Sequence, residues 1–329
     1  GARIADGDYI SGEGQVVDIS ILDQYVDRLI RDFCGSKELR VAWDPGNGAA
    51  GEVIESLVAR LPGSHFIING EIDGRFPNHH PDPTVETNLE QLKNIVGQEG
   101  CDLGVAFDGD GDRIGLVDGR GRVLWGDQIL VILARPVLAE LPGATIICDI
   151  KASQLFQQEI TRLGGKPLLW KTGHSHLKTK LAETGAPLAG EMSAHIFFKH
   201  RYYGYDDAIY SAIRLLDILC NSDENLADIR DSLPVYVNTP EIRFDCPEDR
   251  KFAIIEEVRV RLAEGKGYTV NNIDGVRVEN EHGWWLLRAS NTQAVLVARC
   301  ESVDSKGLAR TKKALVSQLR LSGLEPPVF

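Results

Sequence analysis

As far as Leu219, short apolar runs break off in glycine- or carboxylate-rich turns, and each is followed by a stretch with helical periodicity. The runs 39–43, 66–68, 103–107, 145–148, 167–170 and 187–189 read as strands. The periodic stretches 19–33, 85–96, 127–140, 153–163, 176–184 and 206–219, and one starting near Gly51, read as helices. Such alternation excludes an all-α or all-β fold. It argues for parallel strands joined by helical crossovers, with helices on both faces of the sheet. The pattern runs through twice at similar size and order. Two consecutive α/β domains are therefore expected, with mixed sheets covered by helices.

The last third changes character. A strand over 235–244, a helix over 247–264, strand-like runs at 268–273, 283–288 and 294–301, and a closing helix over 304–319 predict a smaller α+β domain with an antiparallel sheet. The boundaries drawn are 1–18 as the remnant of a preceding domain or linker, 19–119 and 120–234 as the two α/β domains, and 235–329 as the third.

With 43% hydrophobic and 26% charged residues, the 329-residue chain has enough apolar mass for real cores. No apolar run approaches the ~20 residues that a bilayer span needs, so no membrane partner is expected. The net charge of −12 argues against nucleic acid. Cys34, Cys101, Cys148, Cys220, Cys246 and Cys300 are dispersed with no CxxC, which predicts reduced, mostly buried thiols in a cytoplasmic protein.

The sharpest chemical feature is Phe107-DGDGDR-Ile114, directly after the apolar run LGVAF. Alternation along an extended segment turns Asp108, Asp110 and Asp112 toward one side. Three carboxylates so close repel unless a cation offsets them, and hard oxygen donors suit Mg2+. An EF-hand reading fails, because Arg113 and Gly119 stand where glycine and an acid are needed. Asp108-x-Asp110-Gly111 also fits the opening of a haloacid-dehalogenase-type phosphatase, but Asp112 stands where Thr or Val belongs.

DGDGDR resembles the metal loop of the α-D-phosphohexomutase superfamily, which includes phosphomannomutases and phosphoglucomutases. The resemblance implies Asp108, Asp110 and Asp112 as magnesium ligands and Arg113 as a phosphate-side cation. Three further strings follow in the order of that family. Lys171-TGHSH resembles its KTGHS segment, which implies that Thr172, Gly173 and His174 line a substrate cleft. Lys151 matches a lysine near the reacting phosphate. Gly190-EMSAH resembles the sugar loop GEMSGH and implies sugar-hydroxyl contacts by Glu191 and Ser193, with His195 beside them. Ala194 departs from the usual glycine. Arg288-ASNTQ resembles the RxSNT loop, implying that Arg288, Ser290, Asn291 and Thr292 hold the non-transferring phosphate. His79 and His80, in Glu71–Pro83, read instead as parts of a structural loop.

The expected activity is a phosphosugar mutase interconverting hexose 6-phosphate and hexose 1-phosphate, of mannose or glucose. The route implied by the resemblance is a phosphoserine enzyme and a bisphosphorylated sugar. No serine here stands in the TASHNP-like loop in which that family carries its phosphoserine, so a first domain is expected to be missing and the chain to be inactive alone. A non-catalytic sugar-phosphate-binding fragment and a metal-dependent phosphatase remain as alternatives. Oligomeric state stays open.

Overall fold

A computed structural model describes residues 2–10, 12–263 and 265–327. A single helical turn, α1 (Ala2–Ala5), stands near the start; residues 12–21 are exposed, and α2 (Leu22–Ile30) opens the packed structure. Then follow β1 (Leu39–Asp44), α3 (Gly51–Val58), β2 (Gly63–Ile67), a 3-10 turn (Glu86–Leu89) running into α4 (Glu90–Glu99), β3 (Leu103–Phe107), β4 (Ile114–Asp118) and β5 (Val123–Leu124). The sheet order is β2-β1-β3-β4-β5. Its first three strands are parallel, while β4 returns antiparallel to β3 and β5 antiparallel to β4.

The second unit repeats the design. It comprises α5 (Gly126–Glu140), β6 (Thr145–Asp149), α6 (Gln154–Arg162), β7 (Lys166–Trp170), α7 (His174–Thr184), β8 (Leu188–Gly190), β9 (Ile196–Phe198) and α8 (Ala208–Cys220), with α9 (Leu226–Asp231) after it. Its sheet, β7-β6-β8-β9, has the same order and polarity as β2-β1-β3-β4. The returning strands β4, β5 and β9 escaped the sequence reading. Each is short and follows a polar loop, so no run of period two announces it.

Alternation places Val41 and Trp43 of β1 on one face and Ala42 on the other, where Leu89 of the 3-10 turn and Leu92 and Val96 of α4 cover it. On the Trp43 face one continuous core runs from Val26 to Leu233 through both units. Helices α5 and α8 lie within it, between the two sheets. That position explains why α8 is buried on nearly every side, where one apolar stripe was expected.

The C-terminal unit contains β10 (Val237–Asn238), β11 (Ile242–Asp245), α10 (Lys251–Leu262), β12 (Thr269–Asn271), β13 (Val276–Asn280), β14 (Gly283–Ala289), β15 (Val295–Ser302) and α11 (Ser305–Leu321). Its antiparallel order is β10-β15-β14-β13-β12, with β11 also on β15. Two corrections arise here. The single strand expected over 235–244 is broken at Thr239–Pro240–Glu241, where proline has no N–H for the ladder. The strand β13 was unforeseen although Val276, Arg277, Val278 and Glu279 alternate apolar and charged residues as a strand does; the run is only five residues long and lies between Gly275 and Gly283. Trp285, Leu287 and Ala289 of β14 pack under α10 and α11, while Trp284 and Leu286 face the second unit and meet Ile150. All six cysteines are free, and Cys101, Cys148, Cys246 and Cys300 are buried. Among the described residues no helix is long and apolar enough to cross a membrane.

Candidate active site

The acidic loop and the Glu191 loop occupy equivalent places in the repeat: one joins β3 to β4, the other β8 to β9. They also meet. Arg113 and His195 form an antiparallel bridge, and Ile114 N–H donates to Ala194 O at 3.2 Å. The repeat thus sets two functional loops side by side.

Asp108 is buried, and its Oδ1 accepts the N–H groups of Gly111, Asp112 and Arg113 at 3.1, 3.0 and 3.0 Å. The other oxygen, Oδ2, lies 3.4 Å from Arg113 Nε. Carboxylate oxygens of Asp108, Asp110 and Asp112 can come within 4.8 Å of one another. Burial, with repulsion from Asp112 and Asp110, pushes Asp108 up to about 7 despite the backbone N–H groups facing it. An oxygen-only donor set under this electrostatic load fits a hard divalent cation.

His195 is 6% exposed and bridges two acids, with Nδ1 2.7 Å from Glu191 Oε2 and Nε2 3.2 Å from Asp112 Oδ1. Burial alone would lower its pKa, yet the two carboxylates raise it to about 9. In return, His195 holds Glu191 and Asp112 below the usual carboxylate range against the effect of burial. Ser193 Oγ donates to Glu191 Oε2 at 3.0 Å.

Glu191 Oε1 accepts Gly173 N–H at 2.7 Å. Gly173 precedes α7 with φ 122°, a backbone setting that glycine adopts without steric cost, and the N–H so aimed ties the two loops. His174 begins α7; its Nδ1 is 3.5 Å from Asp206 Oδ2 and its ring centroid 5.9 Å from that of His195. Thr172 Oγ1 donates to Asp149 Oδ2 at 3.3 Å, and Thr172 N–H to Asp274 Oδ2 at 3.0 Å. Asp274 Oδ2 also accepts from Arg288 Nε at 3.1 Å, so one carboxylate links the Arg288 turn to the 171–174 loop.

Lys151 leaves the end of β6, and its ammonium lies 2.9 Å from Glu241 Oε2 and 3.6 Å from Asp149 Oδ2. Burial alone would lower it, but Asp149 and Glu241 hold it above its ordinary value. Asp149 is itself raised to about 6 by full burial, with Lys151 opposing the shift. At the Arg288 turn, Ser290 Oγ accepts from Thr292 N–H and Gln293 N–H at 3.3 and 3.2 Å. Lys251 Nζ donates to the carbonyls of Ser290 and Gln293 at 2.7 and 3.0 Å, leaving Asn291 and Thr292 exposed at the tip.

Thus the four strings share one polar seam, from Asp108 through His195, Glu191, Gly173, Thr172 and Asp274 to Arg288. Models of the phosphoglucomutase/phosphomannomutase family match three consecutive parts of the chain: alpha/beta/alpha domain II over residues 23–121, alpha/beta/alpha domain III over 125–236, and the C-terminal domain over 241–318. The chain belongs to this family.

Phosphoglucomutase/phosphomannomutase relatives support the assignment along the whole length. A Pseudomonas aeruginosa protein named phosphomannomutase/phosphoglucomutase is 44% identical over 326 residues, 99% of this chain and 70% of that protein. A Neisseria gonorrhoeae phosphoglucomutase is 39% identical over 300 residues, 91% of this chain and 65% of its own length. The crystal structure of a Burkholderia thailandensis protein of the phosphoglucomutase/phosphomannomutase family superposes with a TM-score of 0.91 at 40% identity, covering 98% of this chain and 69% of that one. Family membership makes the protein an intramolecular phosphotransferase of the isomerase class.

Sequence reading missed four acids in the seam. Asp149, Asp206, Glu241 and Asp274 each touch a residue that had been singled out. Asp149 and Asp206 had a detectable signal, since each closes an apolar run or opens a helix beside a recognised string. Glu241 and Asp274 had none, because they reach the seam from a distant strand break and a turn.

Proposed function

We propose that this chain binds hexose phosphates of glucose or mannose and contributes three parts of a mutase site that interconverts the 6-phosphate and the 1-phosphate. The observation that carries this reading is the seam, which joins an oxygen-only cation cage to an arginine turn through sugar-hydroxyl partners. Arg288, Ser290, Asn291 and Thr292 hold the phosphate that is not transferred, with the arginine fork suited to its oxygens. Glu191 and Ser193 orient sugar hydroxyls, and His195 keeps Glu191 ionised. Lys151, Arg113 and His174 face the reacting phosphoryl group. His174 is the exposed imidazole of the pair and the one able to pass a proton to or from a sugar hydroxyl.

Asp108, Asp110 and Asp112 would hold Mg2+, which supplies Lewis-acid stabilisation of phosphoryl oxygens when bound. Phosphoryl transfer depends mostly on positioning and electrostatics, the two things the seam provides. The transferred group shuttles through a phosphoserine and a bisphosphorylated sugar. None of the serines in these 329 residues stands in a TASHNP-like loop, so by themselves they bind hexose phosphate without turning it over.

Calorimetric titration with glucose 6-phosphate, run beside a coupled assay for its formation from glucose 1-phosphate, tests both parts. Binding without turnover is expected. Absence of binding overturns the site, and turnover by the 329 residues alone overturns the requirement for another serine.

A further inference from the structure

The turn carrying Lys151 is held from outside its own domain. Three successive carbonyls of that turn are gripped by two arginines of the C-terminal sheet. Arg277 Nη1 donates to Ile150 O at 2.8 Å and to Ala152 O at 2.6 Å, and Arg299 Nη1 donates to Lys151 O at 2.6 Å. Gln154 N–H, two residues past the turn, donates to Glu301 Oε1 at 2.8 Å. Arg277 and Glu301 are 0% exposed and Arg299 is 7% exposed. Burying charges this completely is costly unless they are closely paired. Arg277 is paired with Glu279 at 2.7 Å and its guanidinium lies 3.8 Å from the ring centre of Trp284, whose Nε1 donates to Glu301 Oε1 at 2.8 Å. Even so, Arg277 Nη2 and Glu301 Oε2 are buried without a partner. A fold seeking only stability would place apolar residues at such an interface.

Register explains what the arrangement can do. Arg277 sits opposite Leu286 on β14, and Leu286 sits opposite Arg299 on β15. Arg288 lies two residues further along β14, on the same face as Leu286 and Trp284. The arginine that would take a phosphate and the two that hold the lysine turn therefore belong to one hydrogen-bonded sheet. The same unit also supplies Glu241 to the Lys151 ammonium. Beside the grip lies a cleft of about 240 Å³ lined by Gln154, Glu279, Trp284 and Glu301.

We propose that the C-terminal sheet positions the reacting lysine. Arg277 and Arg299 are positioning residues that make the setting of the Lys151 turn follow the engagement of the substrate's far phosphate by Arg288. The proposal rests on the mutase reading of the site. It adds that phosphate recognition at one end of the sugar sets the phosphoryl-transfer machinery at the other, through a rigid sheet and not through the sugar.

Hydrogen exchange over residues 150–155 tests it, with glucose 6-phosphate as the probe and calorimetry on the same samples. In the native chain, saturating ligand should slow exchange in this segment ~10-fold, since exchange follows the local opening equilibrium. Arg277→Lys keeps the charge but loses the planar fork, so binding should weaken by less than ~3-fold while the slowing falls below ~2-fold. A merely structural role for Arg277 would raise exchange in the turn without ligand and leave the effect of the ligand intact; that result overturns the proposal. Should Arg277→Lys fail to fold, Arg299→Lys carries the same expectation through the Lys151 carbonyl. Native chain that binds no glucose 6-phosphate overturns the mutase reading and the proposal with it, whereas binding with full slowing in both variants overturns the coupling alone.

Discussion

At Asp108, proton and cation compete for one carboxylate. Its folded pKa of about 7 lies above the ordinary carboxylate value, so its negative charge opposes folding at high pH, and that penalty is relieved as pH falls through 7. Mg2+ needs the ionised form. Magnesium affinity, measured by calorimetry, is therefore expected to drop several-fold from pH 8 to pH 6, and equal affinity at both would refute the cage. Ala194 presents a different conflict. It takes φ 68° in the turn between β8 and β9, where a Cβ costs ~1–2 kcal/mol that glycine avoids. Its methyl is also buried against the central core, and glycine gains more entropy on unfolding. Ala194→Gly should therefore leave stability unchanged or raise it by up to ~1 kcal/mol. Ala212→Gly, inside α8, should lower stability by ~1 kcal/mol. Denaturant titration of the two variants separates them, and equal losses would show that the backbone setting of Ala194 carries no strain.

Among the elements, equivalent positions in the repeat carry equivalent kinds of loop. The turns after the third strand of each sheet hold the acids, and those after the first strand hold DPGNGAAG in one unit and the Lys151 turn in the other. Ligands gather beyond the carboxyl ends of parallel strands, and two such edges meet at the Arg113–His195 bridge. His79, paired with Asp44 at 2.9 Å, fastens the loop over 71–83 to the end of β1, in keeping with its reading as a structural histidine. Helix α8 joins the two sheets. Leu215→Ala should cost ~2–5 kcal/mol, since a cavity between packed layers cannot collapse easily. Thermal unfolding should show the loss in both α/β units together, because one core serves both. Separate transitions would contradict the shared core.

For the molecule as a whole, the unit boundary beside Asp274 is where binding at one unit reaches another. Asp274→Ala removes the acceptor shared by Thr172 N–H and Arg288 Nε. Glucose 6-phosphate should still bind through the Arg288 turn but ~10-fold more weakly, because Arg288 loses the partner that pre-orients its fork. Hydrogen exchange at 171–174 should then cease to respond to the ligand. A response like that of the native chain would show that the two loops are independent.

Periodicity in the sequence was sufficient for the α/β–α/β–α+β order, for most helices and for the parallel strands, because each leaves a local repeat of apolar residues. The loop strings Asp108–Arg113, Lys171–His174, Glu191–His195 and Arg288–Thr292 could be singled out because each lies in adjacent residues, although the last three owed their reading to the family resemblance. What only the tertiary structure decided is what needs pairing across a sheet or contact between residues far apart in the chain. That includes the return strands β4 and β9, the burial of α8 between two sheets, the strand break that delivers Glu241 to Lys151, the Asp274 link, and the arginine grip on the Lys151 turn. Each depends on partners 90 or more residues away or on pairing across a sheet, and a single side chain carries no local mark of a neighbour it meets only when the whole chain has folded.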